Sequence, residues 1–247
     1  MSRKDRSRRG RRRFLAAVSV LAAAIAVPWR ARGATSARGA RLKIGIVGSG
    51  QVGGTLGAVW VKAGHEVMFS SRTLEDDRAL AARLGPNAHA GTPRAAAAFG
   101  EVVMVSVPYH ALPEVGRQLA DLIAGKVVID TCNPFLSRDG EIAAWAREKG
   151  AGLASRELLP GARLVRAFNA IGAFRMGQAH REPGRIGMPI AGDDREAIET
   201  ASRLIRDIGY EPVLIGGLEK GKYLMPGTPL AGERTPEEIR RIAATLN

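Results

Sequence analysis

Three glycines in the spacing G-x-G-x-x-G, Gly48, Gly50 and Gly53, define the first chemistry open to this chain. In that pattern the first glycine makes a tight turn and the second lets backbone approach a pyrophosphate. The third lets a helix pack closely on a strand. The helix that follows turns its free N–H groups and positive dipole end toward the phosphates. Some twenty residues further on, sites that read the 2′-hydroxyl of NAD carry Asp or Glu, whereas an Arg there accommodates the 2′-phosphate of NADP. This chain has Ser70-Ser71-Arg72 at that point, with no acid. Two hydroxyl donors and a guanidinium suit a dianionic phosphate, because Arg presents a planar fork of donors. Glu75, Asp76 and Asp77 follow closely and would repel a phosphate if they pointed inward.

Three later segments carry residues that could complete a site: Val107-Pro108-Tyr109-His110, Asp130-Thr131-Cys132-Asn133-Pro134 and Phe168-Asn169-Ala170-Ile171-Gly172. Asn133 and Asn169 can each donate and accept at once, which suits a nicotinamide carboxamide or a substrate ring. His110 is of the residue type suited to proton transfer, although helix capping or plain exposure is the more common role of such a residue. Cys132 reads more readily as a small buried packing residue than as a redox nucleophile. It is the single cysteine, so no intramolecular disulfide and no Cys-rich metal site can form. No Ser-His-Asp spacing, H-E-x-x-H motif or catalytic carboxylate pair is present.

Positioning these residues requires alternating strands and helices. Residues 42–47 are apolar and β-branched, as a buried parallel strand is. Val52, Leu56, Val59 and Trp60 then fall at helical spacing, and Gly64 is placed to end that helix. Residues 66–70 read as the second strand. Helices are expected over 74–84, 111–123, 141–148 and 193–208, with strands over 102–107, 126–130, 164–168, 188–191 and 211–215. Thr92-Pro93 reads as an N-cap with proline at N1, and Thr235-Pro236-Glu237-Glu238 as a capping box opening a last helix over 237–245. The fold class expected is α/β, a Rossmann-type doubly wound, mostly parallel sheet with a small C-terminal α/β extension. The organisation expected is a leader over 1–40, a dinucleotide-binding domain over 41–230 and a tail with a short helix over 231–247. Ligands of such sheets sit outside the carboxyl ends of the strands, so the glycine loop and the three later segments should converge on one crevice.

The formal charge of +13 suggests a nucleic-acid binder, but its distribution argues against one. Residues 1–41 hold 12 Lys or Arg and one acid, so they carry +11 and leave +2 for the remainder. Gly10-Arg11-Arg12-Arg13-Phe14-Leu15-Ala16 has the shape of a twin-arginine export signal. The apolar run 14–27 is short for a membrane span, which needs ~20 residues, and suits the h-region of a secretory signal cleaved between Ala31 and Ala40. The expectation is an exported protein, in the periplasm or cell envelope, that meets the export machinery through this leader. An uncleaved anchor and a cytoplasmic protein remain the alternatives.

The run from Ile44 to Gly54, then Gly64-His65-Glu66-Val67 and Ser71-Arg72, resembles NADPH-dependent reductases of the deazaflavin coenzyme factor 420. It is also similar to the NADPH modules of six-transmembrane ferric reductases and to the N-terminal domain of pyrroline-5-carboxylate reductases. Val105-Ser106-Val107-Pro108, the stretch 125–134, Val165-Arg166-Ala167-Phe168-Asn169, Ala191-Gly192-Asp193-Asp194 and Gly216-Gly217-Leu218 extend the resemblance across about 42–230. It implies that Ser49, Gly50, Gln51 and Val52 hold the pyrophosphate of NADP(H), and that Ser71 and Arg72 hold its 2′-phosphate. It implies that the loops at Val107, Pro108 and Asn133 flank the nicotinamide. Hydride would pass directly between nicotinamide and a stacked deazaflavin, flavin or similar small-molecule acceptor, with the protein supplying alignment. It further implies a homodimer. Asp76 stands where some members carry a second basic residue. The alternative function is a dinucleotide-binding sensor or scaffold without catalysis.

Overall fold

The computed structural model describes residues 40–246, so the leader and its cleavage region lie outside the described residues. The elements run in order β1 (Lys43–Val47), α1 (Gln51–Ala63), β2 (Glu66–Ser70), α2 (Leu74–Leu84), β3 (Ala88–Ala90), α3 (Pro93–Phe99), β4 (Val102–Val105), α4 (Leu112–Ile123), β5 (Val127–Asp130), α5 (Leu136–Asp139), α6 (Glu141–Lys149), α7 (Ala151–Leu158), β6 (Arg163–Arg166), α8 (Ala173–Met176), β7 (Gly187–Gly192), α9 (Arg195–Asp207), β8 (Glu211–Leu214) and α10 (Pro236–Ala243). All eight strands join one sheet in the order β3-β2-β1-β4-β5-β6-β7-β8. The order reverses between β1 and β4, the switch point at which doubly wound sheets bind ligands.

Local signals set most boundaries. Gly64 closes α1 with φ 102, its N–H reaching Trp60 O and Val61 O, as a C-cap glycine does. The Thr92 side chain accepts from Ala95 N with Pro93 at the first helical position, and Thr235 and Glu238 form the expected reciprocal capping box.

Alternation along the strands divides the core between two faces. Ile44, Ile46, Val67, Phe69, Val102, Met104 and Ile129 pack with Leu56 and Trp60 of α1 and Leu204 and Ile205 of α9. Val47, Val103, Val105, Val128 and Leu164 face the other way, onto Leu112, Leu119 and Ile123 of α4, Ala146 of α6 and Ala154 of α7. The C-terminal helix is tied in as well: Ile239 of α10 is buried with Ala191, Val213, Leu224 and Leu230.

Four features depart from the expected pattern. The short strand β3 extends the sheet beyond β2. Helices α5 and α7 flank α6, and both are too short to show a helical repeat. Strand β7 runs antiparallel to β6, because the connection through α8 enters the sheet from the opposite end. Strands β4 and β6 each stop two residues early, at Val105 and Arg166, the latter since Phe168 turns to φ 66. Among the described residues no helix is long and apolar enough to cross a membrane.

Candidate functional site

The fingerprint loop is built by backbone geometry. Gly48 has φ 101, and a Cβ there would lie 2.2 Å from Ser106 O. A Cβ on Gly53 would lie 2.1 Å from Gly48 O, so α1 can approach β1 only with glycine at that place. The N–H groups of Gly48 and Ser49 donate to Ser70 O at 2.9 and 3.0 Å, tying the loop to the end of β2. Gly50 is the N-cap of α1 and no side chain caps the helix. A Cβ on Gly50 would meet no protein atom within 4 Å. The first turn of α1 therefore presents free N–H groups to open space, the arrangement that receives a phosphate.

Gly50, Gln51 and Val52 form one wall of a cleft of about 680 Å³ at the carboxyl ends of the strands. Val107 and Pro108 after β4, Cys132 and Asn133 after β5, Asn169 to Ala173 after β6, and residues 226, 227, 231 and 232 of the C-terminal segment complete it. The expected convergence of the strand ends is thus met. A second groove, of about 660 Å³, shares Gly50 and Gln51 with the first and is lined by Ser49, Ser71, Asp76 and Asp77. Gly48 and Gly53 line neither space and act only through the shape of the loop. Arg72 is exposed just past the end of β2 and has no hydrogen bond or ion pair among the described residues.

Two asparagines of the cleft lining carry unsatisfied acceptors. Asn133 Nδ2 donates to Asn169 O at 2.8 Å, and Asn169 Nδ2 donates to Cys132 O at 3.3 Å. These bonds clasp the loops after β5 and β6 and fix the orientation of both amides. Asn133 Oδ1 and Asn169 Oδ1 are then buried with no hydrogen-bond partner. A buried polar atom without a partner costs about 1–3 kcal/mol, which a ligand N–H or O–H would relieve. The strained turn at Phe168 aims Asn169 inward, and edge-to-face contacts with Trp60 at 6.1 Å and Tyr210 at 6.0 Å hold it.

Beneath the clasp lies a fully buried ion pair. Asp130 and Arg166 are register partners on β5 and β6. The Arg166 guanidinium bonds Asp130 Oδ2, Ser155 Oγ at 3.2 Å and Cys132 O at 3.1 Å, while Cys132 N donates to Asp130 Oδ1 at 2.7 Å. This network sets the path of residues 130–133. Burial pushes the Cys132 thiol well up, reinforced by the Asp130 charge, so Cys132 is a packing residue of the cleft wall.

The remaining acid–base candidate lies outside the cleft. His110 does not line it; its Nδ1 sits 2.8 Å from Asp139 Oδ1. Burial of the Asp139 carboxyl favours its neutral form, but hydrogen bonds from Arg138, Phe135 N and His110 outweigh this and hold it down to about 2. Asp139 thereby locks Arg138, which also bonds Asn133 O at 2.8 Å and stacks 5.0 Å from the Phe135 ring. Arg138 lines the cleft. No periodicity or motif marked it, because α5 is a single turn. Among the described residues that line the cleft, Cys132 and Arg138 are the only titratable ones.

One expectation at the end of β2 is overturned. Ser70 and Ser71 do not offer two free hydroxyl donors. Ser70 Oγ donates to Ile46 O at 2.6 Å, and Ser71 Oγ donates to Asp77 Oδ2 at 2.9 Å. Asp77 points inward, 1% exposed.

The residues present fit a dinucleotide: an uncapped helix N-terminus behind an open glycine, orphaned acceptors in the adjoining cleft and a free guanidinium past β2. The fold and site define an NAD(P)-dependent oxidoreductase of the Rossmann type. The profile of the family described as NADP oxidoreductase, coenzyme F420-dependent, matches residues 43–134. The F420-dependent NADP reductase of Methanothermobacter thermautotrophicus is 30% identical over 206 residues, covering 76% of this chain and 87% of that protein. The chain belongs to this family of F420-dependent NADP reductases and uses NADP(H). Metalloreductase STEAP3 of Rattus norvegicus is 32% identical over 183 residues, covering 73% of this chain; the match spans only 35% of that longer protein. Among solved structures, a hypothetical protein from Sinorhizobium meliloti shares the fold with a TM-score of 0.65 and 24% identity, over 78% of this chain and 93% of its own.

Proposed function

We propose that the chain passes hydride between NADP(H) and a flat deazaflavin, flavin or similar acceptor stacked on the nicotinamide in the cleft. The carrying observation is the pair of orphaned oxygens, Asn133 Oδ1 and Asn169 Oδ1, on residues of a cleft whose described lining holds no His, Asp, Glu, Lys or Tyr. In this reading Gly50, Gln51 and Val52 receive the pyrophosphate, Ser49 having given its N–H to Ser70 O and its hydroxyl proton to Asp77, and Arg72 faces the 2′-phosphate. Asn133 and Asn169 accept from the nicotinamide carboxamide, while Val107 and Pro108 border the ring. The nicotinamide supplies a two-electron hydride from C4. The protein holds the two rings together and excludes water, the role of proximity in such reactions. Arg138, fixed by Asp139, stands at the cleft to meet an anionic group of the acceptor.

The test is oxidation of NADPH by the purified chain with a deazaflavin, FMN and ferric chelates offered separately. One acceptor that supports turnover is expected. Nucleotide binding without turnover on any acceptor would overturn the reading in favour of a sensor or scaffold. We further propose export through the twin-arginine route, supported by Arg11-Arg12-Arg13-Phe14-Leu15. A reporter fused to the leader should lose export when Arg11 and Arg12 become Lys. A homodimer is the assembly this reading carries over from the family, and light scattering of the purified chain tests it.

A further inference from the structure

Doubly wound sheets read the adenosine ribose at the end of β2, by an acid for a 2′-hydroxyl or an Arg for a 2′-phosphate. Here the strand end has no acid, yet a carboxylate arrives from the first turn of α2. Asp77 is buried there and borders the groove that begins at Gly50. Its Oδ1 accepts from Ser49 Oγ of the fingerprint loop and its Oδ2 from Ser71 Oγ at 2.9 Å.

A hydroxyl carries one proton, and a carboxylate only accepts. The Ser49 proton therefore goes to Asp77. The Ser71 proton has a second acceptor in Thr73 O at 3.2 Å, and Thr73 N donates to Ser71 Oγ at 3.1 Å. In neither arrangement does a proton remain for a ligand. Ser49 and Ser71 both line the groove beside Asp77, and each has only an acceptor lone pair left to offer a ligand. A phosphate dianion, which only accepts, is poorly served by that surface, whereas a ribose hydroxyl can donate to it. Asp76 adds a second carboxylate to the same groove. Arg72 alone adjoins the strand end as a favourable partner for phosphate. Lys62 and Arg83 also line the groove, but they lie roughly 16 and 9 Å of helix rise beyond Gln51 and Asp77.

We propose that Asp77 sets the choice of nucleotide in this chain, lowering its preference for NADPH so far that NADH is used as well. The proposal rests on the nucleotide-binding reading above. Its test is fluorescence titration of the full-length chain with NADPH and with NADH, alongside the Asp77→Asn and Arg72→Ala variants. Asn keeps the shape of Asp but brings a donor and removes the charge. In the wild type the two dissociation constants should agree within about tenfold, the scale of one charge-assisted hydrogen bond. Asp77→Asn should tighten NADPH by about tenfold with less than about threefold change for NADH, since one such bond is gained only with the phosphate. Arg72→Ala should weaken NADPH alone.

A wild-type preference for NADPH beyond about tenfold, or an unmoved ratio in Asp77→Asn, would overturn the proposal. Should Asp77→Asn fail to fold, the wild-type ratio still decides. Absence of binding by either nucleotide would overturn the underlying reading too, whereas tight NADPH with weak NADH overturns this proposal alone.

Discussion

The same substitution, glycine to alanine, should have opposite consequences at two places three residues apart. At Gly53 the added Cβ would stand 2.1 Å from Gly48 O and 3.0 Å from Ile46 Cγ2. Neither atom is the end of a flexible chain, so α1 must move off β1. Overpacking of this kind costs about 1–3 kcal/mol, of which the better helix propensity of Ala returns up to ~1. At a contact as short as 2.1 Å to backbone the upper end applies, and the net loss of about 2 kcal/mol lowers the melting temperature by about 4–8 °C in a domain of this size. At Gly50 the Cβ would meet no protein atom, yet it would stand in the space before the uncapped first turn of α1. Only a weaker N-cap is lost, about 0.5 kcal/mol, so melting should shift by no more than about 2 °C. NADPH affinity should fall at least about tenfold, since the backbone there must approach the pyrophosphate. Thermal melting of each variant, paired with fluorescence titration of NADPH, separates the two effects. A Gly50→Ala protein that binds NADPH like the wild type would refute the assignment of the open side of the loop. A Gly53→Ala protein with unchanged melting would refute the packing argument.

Other consequences follow from the network under the cleft. Arg166→Met leaves Asp130 charged and buried without its partner and should cost about 3–5 kcal/mol; the double variant with Asp130→Leu should recover more than half of that in denaturant titration. Asn169→Leu should weaken NADPH by about tenfold while leaving the affinity for 2′,5′-ADP unchanged, because only the nicotinamide end meets Asn169 Oδ1; equal losses for both ligands would place the nicotinamide elsewhere. The Asp139 carboxyl titrates at about 2 when folded against 3.8 for the free side chain. A depressed carboxyl stabilises above its unfolded value, so about 2 kcal/mol should be present above pH 3.8 and be lost as the pH falls toward 2. Denaturation of the wild type and Asp139→Asn should therefore converge across that window.

What could be read from the chain alone is what neighbouring residues decide among themselves. Gly64 ends a helix, Pro93 and Pro236 begin helices and Thr92 and Thr235 cap them, all by bonds within four residues. Continuous apolar runs announced the buried strands, and a glycine spacing announced the phosphate turn. The short elements β3, α5 and α7 stayed silent because three to eight residues hold too few repeats to show a period.

Contacts between distant segments were beyond any local signal. Asn133 and Asn169 were visible as polar residues at strand ends, but their orphaned oxygens exist only because their amide nitrogens find carbonyls across the sheet. The triplet Ser70-Ser71-Arg72 suggested a phosphate site. Only the folded chain brings Asp77 onto the hydroxyls of Ser71 and of Ser49, 28 residues away. A hydroxyl looks the same in sequence whichever way its proton points, and tertiary packing alone chooses the acceptor that takes it.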